Sequence, residues 1–396
     1  MATSEHPSSS LILSYDVWTF IVEKCSRNTL LEVCLVNKVL YNIAVAQLYR
    51  DPFGLIIDEL SEAGLTRHVP WYNLYRVLEK HPRLATHVRR FISSSKSHAW
   101  RTVSEEWMVL PCLHNLRTVE WHDGVHMDAV RLFIDNCPSR GVKSVLLPAR
   151  MSGQLLPSFW TWLESQRNLK ELKLPWGSNP SLIPTVELPK LEALGASPEI
   201  AKILLPDRSI RAFDGIGSTQ STNIWSLEDL ESVLPLLGAA LQSIGGVKVL
   251  RRNVAAFLRS VNKWCPFVEA VRVLIDSQGV PALPSFHDLV SPLAEISDAP
   301  KRKTDLGDLI PALSGFNCLH SLYLDADQPS TEESAKTMIE KIAKDCATLS
   351  FVEWTPIIRH DGTVHPKYVF TIFRNQLVDG LSSCLVVSGN DEYPIV

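Results

Sequence analysis

Histidines 122 and 126 stand in WHDGVH, and His360 and His365 flank DGTV. Two imidazoles at such spacings are half of a zinc site, which needs a third and a fourth ligand in closed tetrahedral geometry. The eight cysteines, at 25, 34, 112, 137, 265, 318, 346 and 384, contain no C-x-x-C pair that would complete either set. Asp123 and Gly124 mark a turn, so these residues read as loop histidines. The stretch GIGSTQ (215–220) is a partial glycine-rich loop. It lacks the third glycine of a dinucleotide fingerprint and reads as a turn after a strand. No G-x-S-x-G, Walker A or H-E-x-x-H sequence occurs. No catalytic residue, metal ligand or cofactor is therefore assigned, and the expectation is a protein that is not an enzyme.

The chain has 396 residues, 45% hydrophobic and 21% charged, with a formal net charge of −4. That is the composition of a folded protein. It offers no global basic field, so nucleic acid is not an expected partner. Widely spaced cysteines inside apolar patterns read as reduced, buried thiols. MATSEHPSSS has no basic leader, and no apolar run approaches the length of about 18 residues that a span requires. A cytoplasmic or nuclear protein with no membrane association is expected.

Stepping through the chain, one pattern recurs: an apolar residue, two spacers, an apolar residue, one spacer, and an apolar or small residue. It appears in THVRRFIS, NLRTVEWHD, GVKSVLLPA, NLKELKLPW, KLEALGASP, SIRAFDGIG, ALQSIGGVK, FVEAVRVLI, CLHSLYLDA and TLSFVEWTP. The first anchors are Val88, Leu116, Val142, Leu169, Leu191, Ile210, Leu241, Val268, Leu319 and Leu349. Their spacing is 19–31 residues except for one interval of 51, from Val268 to Leu319. This is close to the period of leucine-rich repeats. Helical patterns lie between anchors at Asp128–Asn136, Leu155–Gln166, Leu227–Leu237, Val254–Lys263 and Glu332–Lys344. Three of them close on NCP, WCP or DCA. The expectation is an α/β repeat, an irregular leucine-rich-repeat solenoid over 81–356. An insertion is expected at about 277–311, and strands at 368–373 and 384–389 as a C-terminal cap over 357–396. Trp121, Trp176 and Trp354, at strand ends, are candidate target-binding anchors.

The first ten residues read as a disordered tail, and residues 51–80 as a linker with an amphipathic helix at 70–80. Residues 11–50 read as three short helices, starting near Asp16, near Asn28 and Thr29, and at Asn37. Their apolar positions are too many for one face of a surface helix. Residues 13–50, LSYDVWTFIVEKCSRNTLLEVCLVNKVLYNIAVAQLYR, resemble an F-box. Leu13, Ser14, Asp16, Val17, Ile21, Leu30, Leu31, Val36, Asn37 and Lys38 fall on its pattern, with Ser14 standing where the family has proline. The whole chain, with an F-box-like start followed by irregular repeats, is similar to fungal F-box proteins with leucine-rich repeats.

The resemblance implies a three-helix F-box that binds a Skp-type adaptor, and through it a cullin-RING ligase of the SCF type. Leu13, Ser14, Val17, Ile21, Leu30, Leu31, Leu35, Val36 and Lys38 would form the adaptor contact. The repeats would capture a target protein for ubiquitination. The alternative is a repeat scaffold with a helical cap and no ubiquitin role.

Overall fold

Each of the ten predicted anchors lies two residues before a β-strand. The computed structural model describes residues 14–52, 69–93, 109–121, 127–147, 157–174, 183–184, 186–215, 224–276, 309–326, 339–344, 346–356, 368–375 and 383–389. These divide into two compact units, residues 1–144 and 145–395. The division falls between Ser144 and Val145, inside the strand Ser144–Leu146 of the repeats.

In the first unit, helices α1 (Tyr15–Val22), α2 (Arg27–Val33) and α3 (Lys38–Leu48) are each closed by a polar N-cap. Ser14 caps α1 and Ser26 caps α2, in place of the starts expected at Asp16 and at Asn28–Thr29. Asn37 caps α3, its Oδ1 accepting from the Leu40 amide at 2.9 Å. A small hydroxyl or amide at this position satisfies an amide that the helix leaves open. Ser14 has φ −64°, the angle a proline ring would impose, so serine keeps that entry geometry and adds a cap. Val22, Leu30, Leu40, Ile43 and Ala44 form the core of the three helices, with Trp18, Cys25, Val33, Cys34 and Leu48 packed on it.

Helices α4 (Val69–Lys80) and α5 (Pro82–Ala85) lead to strand β1 (Arg90–Ser93). It pairs in parallel with β2 (Thr118–Trp121), and helix α6 (Met127–Asn136) follows. Phe133 of α6 fills the space over both strands, its ring 5.2 Å from Phe91 and edge-on to Trp121 at 5.3 Å.

The second unit repeats one strand-turn-helix design. Strand β3 (Ser144–Leu146), whose first residue closes the first unit, is followed by helix α7 (Pro157–Ser165) and strand β4 (Glu171–Lys173). Next come β5 (Ala193–Gly195), α8 (Pro198–Leu204), β6 (Ala212–Asp214) and α9 (Leu227–Leu237). Then β7 (Ser243–Leu250), α10 (Val254–Trp264), β8 (Ala270–Asp276), α11 (Leu309–Leu313), β9 (Ser321–Ala326) and β10 (Phe351–Pro356) complete the parallel set. Strands β4 to β10 pair in sequence order, all parallel. The chain then reverses: β11 (Tyr368–Asn375) adds antiparallel to β10 and β12 (Ser383–Gly389) antiparallel to β11, at the two positions where terminal strands were expected. The expected insertion is represented only from Leu309 onward; 277–308 lie outside the described residues.

Burial explains the pattern. The first anchors and the residues three after them, from Val88 and Phe91 to Leu349 and Val352, are all no more than 5% exposed. Successive strand residues point to opposite faces, so the second and third anchors share one face and the spacers take the other. On α9, Leu230, Val233, Leu234 and Leu237 are buried, one stripe at helical spacing. Ser226 and Asp229 form a reciprocal capping box at its start. Consecutive helices α8, α9, α10 and α11 touch in order. One irregularity breaks the array: β7 carries a bulge between Ile244 and Val247. Gly246 there has φ +60°, a region that favours glycine.

Candidate functional site

Two surfaces combine exposure with unusual composition. The first is on α1–α3. Leu35 is 87% exposed and Val36 65%, both in the tight turn between α2 and α3, and Leu31 and Val39 flank that turn with more than half of their surface open. Tyr15, Val17, Phe20 and Ile21 are exposed on α1, with Phe20 at 63% and the Lys24 ammonium 5.8 Å from its ring centre. Large apolar side chains in such number on three short helices are the usual signature of a covered surface.

The predicted adaptor residues divide accordingly. Val17, Ile21, Leu31, Leu35, Val36 and Lys38 are exposed, as is the capping residue Ser14. Leu30 is a correction: it is 5% exposed and belongs to the helices' own core. Adjacent helical residues point about 100° apart, so of the pair Leu30–Leu31 one turns in and one out. Leu13 lies outside the described residues. Tyr41, half exposed on α3, was not among the predicted residues. Its neighbour Tyr49 has its phenol pushed up, by burial and then by Tyr41.

The second surface lies in the second unit, over strands β4 to β9. It is a trough of about 750 Å³ lined on its floor by Ala193, Gly195, Ala212, Ser243, Gly245 and Ala270. These are the spacer positions of the repeat, and here they are small enough to expose the sheet backbone. Charged groups stand at the margins. Lys173 reaches across Gly195 to Asp214, Nζ to Oδ2 at 2.8 Å, and Arg272 and Tyr323 stand on the far side. The spacing permits this only because residue 195 has no side chain: a Cβ there would lie 2.8 Å from Lys173 Cγ. The signal was present in the sequence as the run of alanine, serine and glycine at spacer positions of four successive repeats.

Of the tryptophan candidates, only Trp121 has a described side chain. Trp121 is a correction: it is 3% exposed and edge-on to Phe133, because Val119 and Trp121 share the inward face of β2. Trp176 lies outside the described residues. Trp354 is placed by backbone alone, in register with Leu324 and Tyr368. His122, His126, His360, His365 and residues 216–220 also lie outside them. No group of three or more metal-ligating side chains occurs among the described residues, and none of their helices is long and apolar enough to cross a membrane.

Neither a family model nor a curated protein matches this chain. Among solved structures, the leucine-rich-repeat-containing protein LegL7 from Legionella pneumophila is similar at a TM-score of 0.25 and 11% identity, over 72% of each chain.

Proposed function

We propose that the chain is a protein-binding repeat receptor whose α1–α3 face docks on a helical Skp-type adaptor, making it the substrate-recognition subunit of an SCF-type ubiquitin ligase. The observation that carries this reading is the apolar set around the α2–α3 turn, Leu31, Leu35, Val36 and Val39, none of it needed by the helices' own core. Helices of a partner laid across such a set would bury it, with the leucines as anchors. The repeats of the second unit then hold the target, and tethering raises its concentration near the ubiquitin-loaded enzyme. The small floor of the trough leaves room for side chains of that target.

The test is titration calorimetry with a purified Skp-type adaptor. Burying two leucines contributes roughly 3–6 kcal/mol, so Leu31→Asp/Leu35→Asp is expected to weaken binding by about a hundredfold or more while circular dichroism stays native. Leu30 is unsuitable for this purpose, since a carboxylate in the core would unfold the helices. Undiminished binding by the double variant sinks the reading.

One observation favours a second reading, a scaffold in which α1–α3 serve as a cap. The Arg50 carbonyl accepts the Arg89 amide at 2.9 Å, and Arg90 pairs with Asp51 at 3.0 Å, so the end of α3 is fastened to the start of β1. Under that reading the wild-type chain shows no affinity for the adaptor.

A further inference from the structure

Three cationic residues stand in register along one margin of the first unit. Arg89 immediately precedes β1, Arg117 precedes β2 and Lys143 precedes β3. The Arg89 carbonyl accepts from the amides of Arg117 and Thr118 at 2.7 and 2.9 Å; the Arg117 carbonyl accepts from Lys143 and Ser144 at 2.7 and 3.0 Å. Successive rungs are therefore one strand spacing apart, about 4.8 Å. Arg50 extends the series by one, since its carbonyl accepts the Arg89 amide.

Among the described residues, little neutralises this column. Arg50 pairs with Glu23 at 3.3 Å, with both side chains about half exposed. The Arg89 guanidinium donates to two uncharged acceptors, the carbonyls of Thr86 and Asn115. Arg117 and Lys143 are exposed, and among the described residues no carboxylate pairs with either. Burial, then Arg117 and then Arg50, hold the Arg89 guanidinium below its ordinary range, so the cations feel one another. The second unit treats the same repeat position differently. There Lys170 is followed by Glu192, which accepts its ammonium at 2.7 Å, and then by Arg211. That stretch alternates in sign, whereas the first unit's does not.

We propose that the column Arg50–Arg89–Arg117–Lys143 docks an acidic segment of a partner protein, each carboxylate bridging two neighbouring rungs. Charge complementarity selects the partner's sign. Its class follows from the discreteness of the column, in which the cations stand one strand spacing apart and the adjacent Arg90 is already held by Asp51 and Glu120 at 3.0 and 2.6 Å. Separate carboxylates can meet it rung by rung, whereas a continuous polyphosphate backbone also meets the chain's net charge of −4. The proposal is independent of the adaptor reading, because it concerns neither α1–α3 apolar side chains nor ubiquitin.

The test uses the full chain and the anisotropy of a fluorescent peptide of about a dozen alternating Glu and Ser residues, with a Lys–Ser peptide as control. Only the acidic peptide is expected to bind, and raising salt from about 50 to about 200 mM is expected to weaken it several-fold. Arg117→Glu/Lys143→Glu is expected to lower affinity by about tenfold or more, and Arg259→Glu, on an exposed helical position elsewhere, to leave it unchanged. Should the double reversal lower the melting temperature, Arg117→Gln/Lys143→Gln replaces it, with a loss of about threefold or more. Absence of peptide binding, equal binding by the folded variant, or tighter binding of single-stranded oligothymidylate or phosphatidylserine vesicles at the same salt each overturns the proposal.

Discussion

At residue 195 the chain has a glycine whose reason lies 22 residues away. Lys173 crosses the space its side chain would fill, and the ion pair with Asp214 depends on that passage. Gly195→Ala should cost about 1–3 kcal/mol by crowding. The ion pair itself contributes less than about 1 kcal/mol, because both side chains are a third or more exposed. Lys173→Ala should therefore recover part of the cost. Denaturant midpoints of the four proteins in this cycle should be non-additive, with the double variant more stable than the sum of the singles. Additive losses would place the penalty in the backbone instead. This contact was not legible in the sequence, since nothing local to Gly195 names Lys173. The same holds for Leu30 and Trp121. Their types suggested anchors, but their direction was decided by helix phase and strand alternation, and each turned inward.

At the scale of elements, the helix closures NCP and WCP have a common geometry. Cys137 Sγ donates toward the Leu113 carbonyl at 3.9 Å, and Cys265 Sγ toward the Leu234 carbonyl at 3.8 Å, each reaching the preceding repeat. Burial pushes the thiols up to about 11 and about 12, from 9.0. The neutral thiol is the form the fold holds. Its contribution to stability is therefore complete below about pH 9 and declines as pH rises toward 11 and 12. In Cys137→Ala/Cys265→Ala, the fall in melting temperature between about pH 8 and about pH 10.5 should be smaller than in the wild type. An unchanged alkaline slope would remove the thiols from this account. The closures, all ten strand starts and the helix Leu227–Leu237 were legible because each depends on side chains within a few residues. The caps of α1 and α2 were misread by two or three residues, since serine, aspartate, asparagine and threonine stand close together there. The bulge at Gly246 was read as an ordinary small position, because glycine fits both.

Across the whole molecule, the N-terminal helices are attached to the repeats by backbone as well as by sequence order. A chain beginning at Asp51 loses the Arg50 carbonyl and leaves the Arg89 amide unmet. An unmet amide costs about 1–3 kcal/mol, and the melting temperature should fall by roughly 3–10 °C with a cooperative transition retained. Calorimetry showing no transition at all would mean that α1–α3 are indispensable as a cap. The ten anchored strands of the array were readable because each follows its own apolar anchor. The division between residues 144 and 145 was not readable, since the motif runs through it without a change of composition. The trough was half readable: its small residues stand in plain sequence, but their gathering on one face follows from strand stacking.

The constant distance from anchor to strand has one more consequence. Intervals between anchors range from 19 to 51 residues, yet each of the strands β1 to β10 begins two residues after its anchor. Length between anchors is thus a free variable, while phase is reset at each one. A shift introduced in one connecting segment is absorbed before the next rung and is not passed along the array. The chain behaves like a text with punctuation, in which a clause can be lengthened without altering how the following sentence is read.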